Sequence, residues 1–491
     1  MGNGASKLRM AAASAMRLAY RALMPSPNRA FPSSQIQRGC DGMVGLTRSR
    51  AWSTAQDLQQ NFSVIGWAIR THLNFVASFA FQARTKDRDF NRLLEKAMAE
   101  EMLKERWDKT RTFSAQNMFR LRAAMKVLYG EGLVVKIDDG TFWLVPHWRI
   151  GRGNGAPDNV SPDGLVFDAY GARDGFAICR YDAPPSAYGV APHGLVHERI
   201  IQWTDVIYDG FFQSPDQPRG ASPLLPAMAH ARDCMDLQEY HLLKTKVAAM
   251  FGCVIYRDHS KKGRHDFDYQ RPPPAAGQAT ESADDTDVGP LEYDLRSGLK
   301  LELEKDERAE FLESKTPSTE TREFLKDLFR QILAALDIPY SAFDSTGANF
   351  SGMLADWGRY KLSSLEERGT NQSAYDKAIE HKLRHMIASG RITLPKGWTY
   401  EADMEWECIP TGTFILDLSR ELDPVLKKIA AGLQSRSDAC RELGTGDYYD
   451  GIDRLAEEEA YARSRGVTLT LGTPGATTTR DGDGTKSQED N

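Results

Sequence analysis

Apolar positions in this chain follow two periods, which alternate along its length. From Ser53 onward Leu58, Phe62, Ile65, Ile69, Leu73 and Val76 recur at three- and four-residue steps, the spacing of a helix with one buried stripe. A second helical region is expected from Phe90 to Tyr129, with Trp67 and Trp107 as core or interface anchors. Residues 131–210 then read as strands. Leu133 to Ile137, the turn Asp138-Asp139-Gly140, and Thr141 to Val145 predict a hairpin. Val166 to Gly171 followed by Phe176 to Tyr181 predicts another. From Ser222 to Phe251 the helical period returns, with Ser222 as N-cap and Pro223 in the first turn. Its stripe of Leu224, Met228, Ala231, Met235 and Leu242 drifts onto Leu243, Val247 and Met250. About 30 residues at 1.5 Å each make a rod of roughly 45 Å.

A second strong helix follows some seventy residues later. Phe324, Leu325, Leu328, Phe329, Ile332, Leu333 and Leu336 form its apolar face, and Ser318 or Thr319 can cap its start. Asp337-Ile338-Pro339 stops it, because proline disfavours helical geometry in the residue before it. A polar loop, Asp344 to Asn349, leads to a helical run from about Met353 to about Ser389. Residues 390–418 hold Trp398, Trp406, Phe414 and several β-formers. Asp423-Pro424 reads as the N-cap and first position of a helix with Val425, Ile429 and Leu433 inward, and a last helix covers about Tyr448 to Arg465.

Between the two rods, Asp258 to Pro290 is polar and proline-rich. Leu291, Tyr293, Leu295, Leu299, Leu301 and Leu303 then alternate as short strands do. From Glu281 to Glu313 there are twelve acids and four bases. Residues 25–50 carry prolines and glycines and read as an extended arm, preceded by an alanine-rich stretch bearing Lys7, Arg9, Arg17 and Arg21. Gly466 to Asn491 reads as disordered.

At 491 residues the chain exceeds one hydrophobic core, so two or more domains are expected. Hydrophobic residues at 41% and charged residues at 26% are ordinary for a soluble protein. A net charge of −6 is not that of a DNA-coating protein. The six cysteines are far apart and form no CxxC pair, which argues for free thiols. No apolar run approaches the ~20 residues that span a bilayer. Met1-Gly2-Asn3-Gly4-Ala5-Ser6 matches a myristoylation pattern, one short enough to arise by accident.

Compact catalytic motifs are missing. There is no GxxxxGK[ST], and Gly151, Gly153 and Gly155 are spaced wrongly for GxGxxG. No GxSxG elbow occurs. His381 and His385 share a helix face but lack the glutamate of HExxH. His193 and His197 lie in a proline-flanked loop. Asp284, Asp285 and Asp287 sit in a biased segment and read as a solvated acidic run. No metal, no cofactor and no catalytic residue is expected.

The stretch LFRQILAALDIPYSAFDSTGANFSGMLADW resembles the central signature of the lambda family of tailed-phage portal proteins. That signature is an amphipathic helix, a Gly- or Asp-Ile/Val-Pro-Tyr step, a polar loop, then Asn-Tyr/Phe-Ser opening a long helix. Asp337, Ile338, Pro339, Tyr340, Asn349, Phe350 and Ser351 carry it. Gln217-Pro218-Arg219-Gly220 before Ser222-Pro223-Leu224 matches a second landmark. Where the family often has a histidine just before that landmark, this chain has Tyr208, to which no chemistry is assigned.

The resemblance implies an α+β portal fold: an extended basic arm (1–50), a wing that is helical and then β-rich (51–221), a stem helix (222–251), a small α/β clip (252–317, with 258–290 disordered), a second stem helix (318–340), a tunnel loop (341–353), a long wing helix with closing strands (354–420), a helical crown (421–465) and a disordered tail (466–491). It implies a homo-oligomeric ring, a dodecamer, at the capsid vertex, with double-stranded DNA in the central channel. It implies as partners the terminase large subunit, a head-completion or adaptor protein, and the major capsid and scaffold proteins, with no membrane. The particle would be assembled in the host cytoplasm. Arg322, Lys326 and Arg330 are candidate basic rings facing DNA; the alternative is inter-subunit ion pairing with Glu239 or Asp236. Asp344, Ser345, Thr346, Gly347 and Asn349 correspond to the tunnel loop, and Glu292, Asp294, Glu302, Glu304, Asp306 and Glu307 to a terminase- and adaptor-binding clip. A tail or baseplate ring protein and a DNA-processing enzyme are the rival readings.

Overall fold

The computed structural model of the protein describes residues 40–181, 194–215, 217–250, 254–257, 307–310, 319–411, 418–444 and 446–467. The chain divides into two compact units, Met1–Ala231 with Phe329–Asn491, and Arg232–Leu328.

The first unit opens on helices α1 (Cys40–Asn61) and α2 (Ser63–Val76), broken at the extended, buried Phe62. Residues 40–50, expected in an extended arm, are therefore helical. The prolines that suggested the arm all lie before residue 33, and Gly42 and Gly45 each cost a helix only about 1 kcal/mol. The stripe from Leu58 to Val76 is buried throughout. Strand β1 (Phe79–Ala83) follows, then α3 (Arg88–Glu101), the short α4 (Lys104–Trp107) and α5 (Ala115–Tyr129). The helical region expected over 90–129 is thus in three pieces. Asp108 sets the larger break, its carboxylate accepting from the N–H groups of Thr112 and Phe113 at 3.0 and 3.1 Å.

Two three-stranded antiparallel sheets come next. Strands β2 (Glu131–Lys136) and β3 (Phe142–Val145) form the expected hairpin, with Lys136 opposite Phe142, and β7 (Val206–Gly210) adds to the other edge of β2. Strands β4 (Leu165–Phe167), β5 (Arg173–Tyr181) and β6 (Leu195–Gln202) form the second sheet, confirming the second hairpin. The pleat of β2 and β3 sends alternate residues into two cores. Leu133, Val135, Trp143 and Val145 meet Phe176, Ile178 and Ile201 of the second sheet. Val134, Phe142 and Leu144 join the helical core around Trp107, Met118 and Phe119. Burial on both faces explains why Leu133-Val134-Val135 shows no polar alternation.

Helix α6 (Leu225–Met250) starts one turn after Ser222, whose hydroxyl accepts from Leu224 N–H and donates to the Val127 carbonyl. It runs across the boundary between the units. In the second unit, β8 (Val254–Arg257) pairs antiparallel with β9 (Glu307–Glu310), Val254 opposite Glu310. Helix α7 (Thr319–Ala334) then crosses back. The alternating leucines of 291–303 and the proline-rich 258–290 lie outside the described residues, as do the arm up to residue 39 and the tail from residue 468.

After the one-turn α8 (Tyr340–Phe343) come α9 (Phe350–Ser363) and α10 (Leu365–Ala388). The sequence predicts one helix here; it breaks at Ser364. Ser363 Oγ donates to the Tyr360 carbonyl at 3.1 Å, a local bond of the kind that competes with helix continuation. Tyr375, Ile379, Leu383 and Met386 of α10 fill the helical core. After the short α11 (Tyr400–Asp403), β10 (Trp406–Pro410) pairs with β1, Ala83 opposite Trp406, so residues 390–411 close onto the start of the unit. Three helices end the described chain: α12 (Leu418–Ala430), α13 (Arg436–Leu443) and α14 (Tyr448–Ser464). Pro424 lies inside α12 and does not open it, because the helix formers of 418–422 extend the helix upstream. Leu433, expected inward, is 80% exposed. It sits past a left-handed Gly432, bonded back to the Lys428 carbonyl in a C-terminal cap.

Candidate functional site

The segment from Thr319 to Ser363 is built as helix, turn, loop, helix. On α7, Leu328, Ile332, Leu333 and Leu336 are buried, but Phe324 is 55% exposed. Only the C-terminal half of the expected stripe is therefore covered within one chain. Arg322, Lys326 and Arg330 sit at four-residue steps along one edge of the helix. Lys326 Nζ lies 2.9 Å from Glu323, and the Arg330 guanidinium stacks 5.1 Å over Tyr340. Arg330 is thus held against the chain's own surface.

Asp337 ends the helix in the left-handed region, φ 54°, with Ile338 N–H bonded to the Leu333 carbonyl at 3.1 Å. This is the capping geometry glycine prefers, and it explains why a Gly-or-Asp step belongs there. Phe343 of α8 meets Trp67 and Phe329 at ring separations of 5.2 and 5.5 Å. The loop Asp344 to Asn349 folds on itself. Asp344 accepts from Thr346, Gly347 takes φ 84°, and Asn349 caps α9 through Gly352 N–H at 2.6 Å. Ser345 to Asn349 are exposed.

Helix α9 hangs from one buried residue, Tyr360. Its hydroxyl meets His72 Nδ1 at 3.0 Å, while His72 Nε2 meets Glu367 at 2.8 Å. One turn before Tyr360, Asp356 accepts from the Ser341 hydroxyl at 2.8 Å, which ties the helix to α8 on the other side of the loop.

A second constellation explains the Gln217-Pro218-Arg219-Gly220 landmark. Arg219 is fully buried. It bonds Glu131 through Nε and Nη2, and donates through Nη1 to the carbonyls of Ile150 and Asp163, each at 2.9 Å. Tyr208 donates to the same carboxylate at 2.9 Å. Burial alone would raise the Glu131 carboxyl, but Arg219's charge and hydrogen bonds, with Tyr208's, hold it below the usual carboxylate range. Burial, and then Glu131's charge, push the Tyr208 hydroxyl well above its ordinary value. Tyr208 has a structural task, which its sequence context did not disclose. Gly220 must be glycine, since a Cβ would fall 1.9 Å from the Gly130 carbonyl oxygen. Beside this clasp, burial draws the His147 imidazole down to about 4; the ring stacks on Tyr129 at 3.6 Å.

A third cluster joins α10 to the rest. Lys382 Nζ bonds Glu101 at 2.8 Å and the carbonyls of Arg106 and Gly140. Its neighbour His381 meets the Ile137 carbonyl at 3.0 Å, so that histidine serves hairpin packing. No group of side chains suited to a metal ion occurs among the described residues. Glu131, Asp209 and Lys382 were not singled out from the sequence; a charged residue inside an apolar run was their only signal. Of the acidic clip residues, Glu307 opens β9, while Glu292, Asp294, Glu302, Glu304 and Asp306 lie outside the described residues.

A family profile described as phage portal protein, lambda family, matches residues 36–360. The chain belongs to that family. It is a structural portal protein of the virion, forming the ring at the capsid vertex. The matched span contains both three-stranded sheets, both long helices and the loop, ending at Tyr360. Two solved structures are similar in fold at low identity. One, the neck of an empty gene-transfer-agent (GTA) particle computed with C6 symmetry, has TM-score 0.48 at 14% identity, covering 80% of this chain and 94% of that one. Another, the neck of a native GTA particle computed with C12 symmetry, has TM-score 0.42 at 14% identity with the same coverage. No match was found among curated proteins. No helix among the described residues is long and apolar enough to cross a membrane.

Proposed function

We propose that in this portal ring α6 and α7 are the stems, the residues between them the clip, residues 51–221 and 354–420 the wing, and 421–465 the crown. Double-stranded DNA passes through the ring during packaging and ejection. About twelve copies close the ring, so one charge per chain becomes a circle of like charges around the duplex. The observation that carries the reading is the order of elements: long helix, a chain reversal closed by the β8–β9 ribbon, long helix, then an exposed polar loop opening a further helix. The loop Asp344 to Asn349 is the narrow point of the channel. The acidic clip engages the terminase large subunit and later the head-completion adaptor; the wing meets capsid and scaffold proteins. The chain catalyses nothing itself, and assembly takes place in the host cytoplasm.

Of the three basic residues on α7, Arg322 and Lys326 are the better candidates to face DNA, because Arg330 is stacked on Tyr340. Lys326→Glu in assembled rings is expected to reduce packaging and retention of DNA severalfold, with ring yield unchanged. Unchanged packaging and retention would place Lys326 in ion pairing alone. Negative-stain images of the purified chain test the ring itself; a chain that stays single sinks the stem assignment.

A further inference from the structure

We propose that a pocket in the first unit receives a cationic side chain from the basic segment that precedes α1. The pocket holds about 710 Å³, room for several side chains. One wall is aromatic: Trp203, Tyr208, Phe211 and Phe212, with Trp203 and Phe212 38% and 42% exposed at the mouth. The other wall carries Asp337, Glu366 and Glu367. With Asp209 that makes four carboxylates, against two cations, Lys126 and Arg173. Asp209 is already held by two cations, Arg122 and, at 3.1 Å, Lys126, whereas Glu366 and Asp337 are exposed.

Aromatic faces beside carboxylates are the chemistry that recognises an arginine or lysine. The pocket's own cations already use it. Arg173 lies 5.0 Å over Phe212, and Lys126 lies 4.9 Å over Phe211. Trp203 and Phe212, both partly exposed, line the same pocket as the exposed Glu366 and Asp337, and together offer that chemistry to a cation from outside. The occupant follows from charge. Residues 1–39 hold Lys7, Arg9, Arg17, Arg21, Arg29 and Arg38 and no acid, in a chain whose net charge is −6. The rest of the chain therefore carries −12, and no other stretch of that length is so uniformly basic.

The test places a photoreactive residue at the mouth of the pocket in the full-length chain, as Phe212→p-benzoylphenylalanine, and maps crosslinked peptides by mass spectrometry. Crosslinks into residues 1–39, within a chain or between two copies, are expected. Glu366→Lys in the same background, or raising salt from about 0.05 M to about 0.5 M, should lower their yield about fivefold, as loss of a cation–aromatic and charge contact would. Circular dichroism confirms that these variants fold. Crosslinks only to another segment, only to a different protein, or none at all overturn the proposal. So do arm crosslinks insensitive to both Glu366→Lys and salt. Ring formation read from the same samples is independent of every outcome.

Discussion

Arg219, just before α6, and Lys326 on α7 are cations handled in opposite ways. Arg219 is completely buried, with a carboxylate and two carbonyls fixed around it. Lys326 is 40% exposed, with Glu323 three residues away as its ion-pair partner. The contrast extends to apolar surface. The sheet-bearing region packs large apolar cores of its own, although Leu93, Leu103, Tyr170, Leu362 and Leu365 are more than half exposed at its surface. The long helices leave Tyr240, Leu242, Leu243 and Phe324 more than half exposed. The first region thus organises cores of its own, while four large apolar side chains of the long helices lie open among the described residues.

The sharpest way to break this contrast is to remove the buried charge of Arg219. Arg219→Met strands Glu131 in an apolar interior and should lower stability by about 3–5 kcal/mol. The double variant Arg219→Met with Glu131→Leu should recover much of that loss, since neither charge is then stranded. Denaturant unfolding of both variants checks this. A double variant as unstable as the single one would show that the clasp works through shape and not through charge.

Protonation probes the same region more gently. His147 is held neutral, with its folded value about 4 against an ordinary value of 6.5. The unfolded chain takes up a proton below about pH 6.5 that the folded chain refuses until about pH 4. The stabilisation is thus complete above 6.5 and is lost as pH falls through that window, by up to about 3 kcal/mol. His147→Phe should remove this part of the acid dependence; an identical pH profile would exclude His147 as its source.

A smaller effect is expected at the turn that separates stem from loop. Asp337 occupies a left-handed position at φ 54°. Asp337→Gly should stabilise by about 0.5–1 kcal/mol, and Asp337→Ala should destabilise by a similar amount. Equal effects of the two would mean that the side chain, not the backbone, sets the turn.

Legibility in the sequence follows the same division. The stripe Leu58–Val76 and both hairpins announced themselves because their partners lie in the same chain and impose a period; the two long helices did so through apolar stripes that the described residues cover only in part. The clasp did not. Arg219, Glu131 and Tyr208 come from three separate stretches, and nothing local ties a glutamate at the start of β2 to an arginine 88 residues later. Breaks at Asp108 and Ser364 were also invisible, since each goes with local hydrogen bonds rather than with apolar spacing. The extent of α12 was missed because a proline doublet that looks like a start lies within a longer run of helix formers. The proposed site was legible as a motif, from Asp337 to Ser351, whereas its electrostatics required coordinates. Only these reveal that Arg330 is stacked on Tyr340.

The smallest effect on folding should come where the expected effect on assembly is greatest. Phe324 and Leu243 are each 55% exposed in the single chain. Replacing either by serine removes little surface that folding buries, so unfolding free energy should move by less than about 0.5 kcal/mol. If ring contacts cover these side chains, the same variants should give intact single subunits and few rings, read by sedimentation and negative-stain imaging. Wild-type ring yields from both variants would mean that these faces stay in water in the assembled portal. The contrast between the region around Arg219 and the long helices would then have to rest on charge alone.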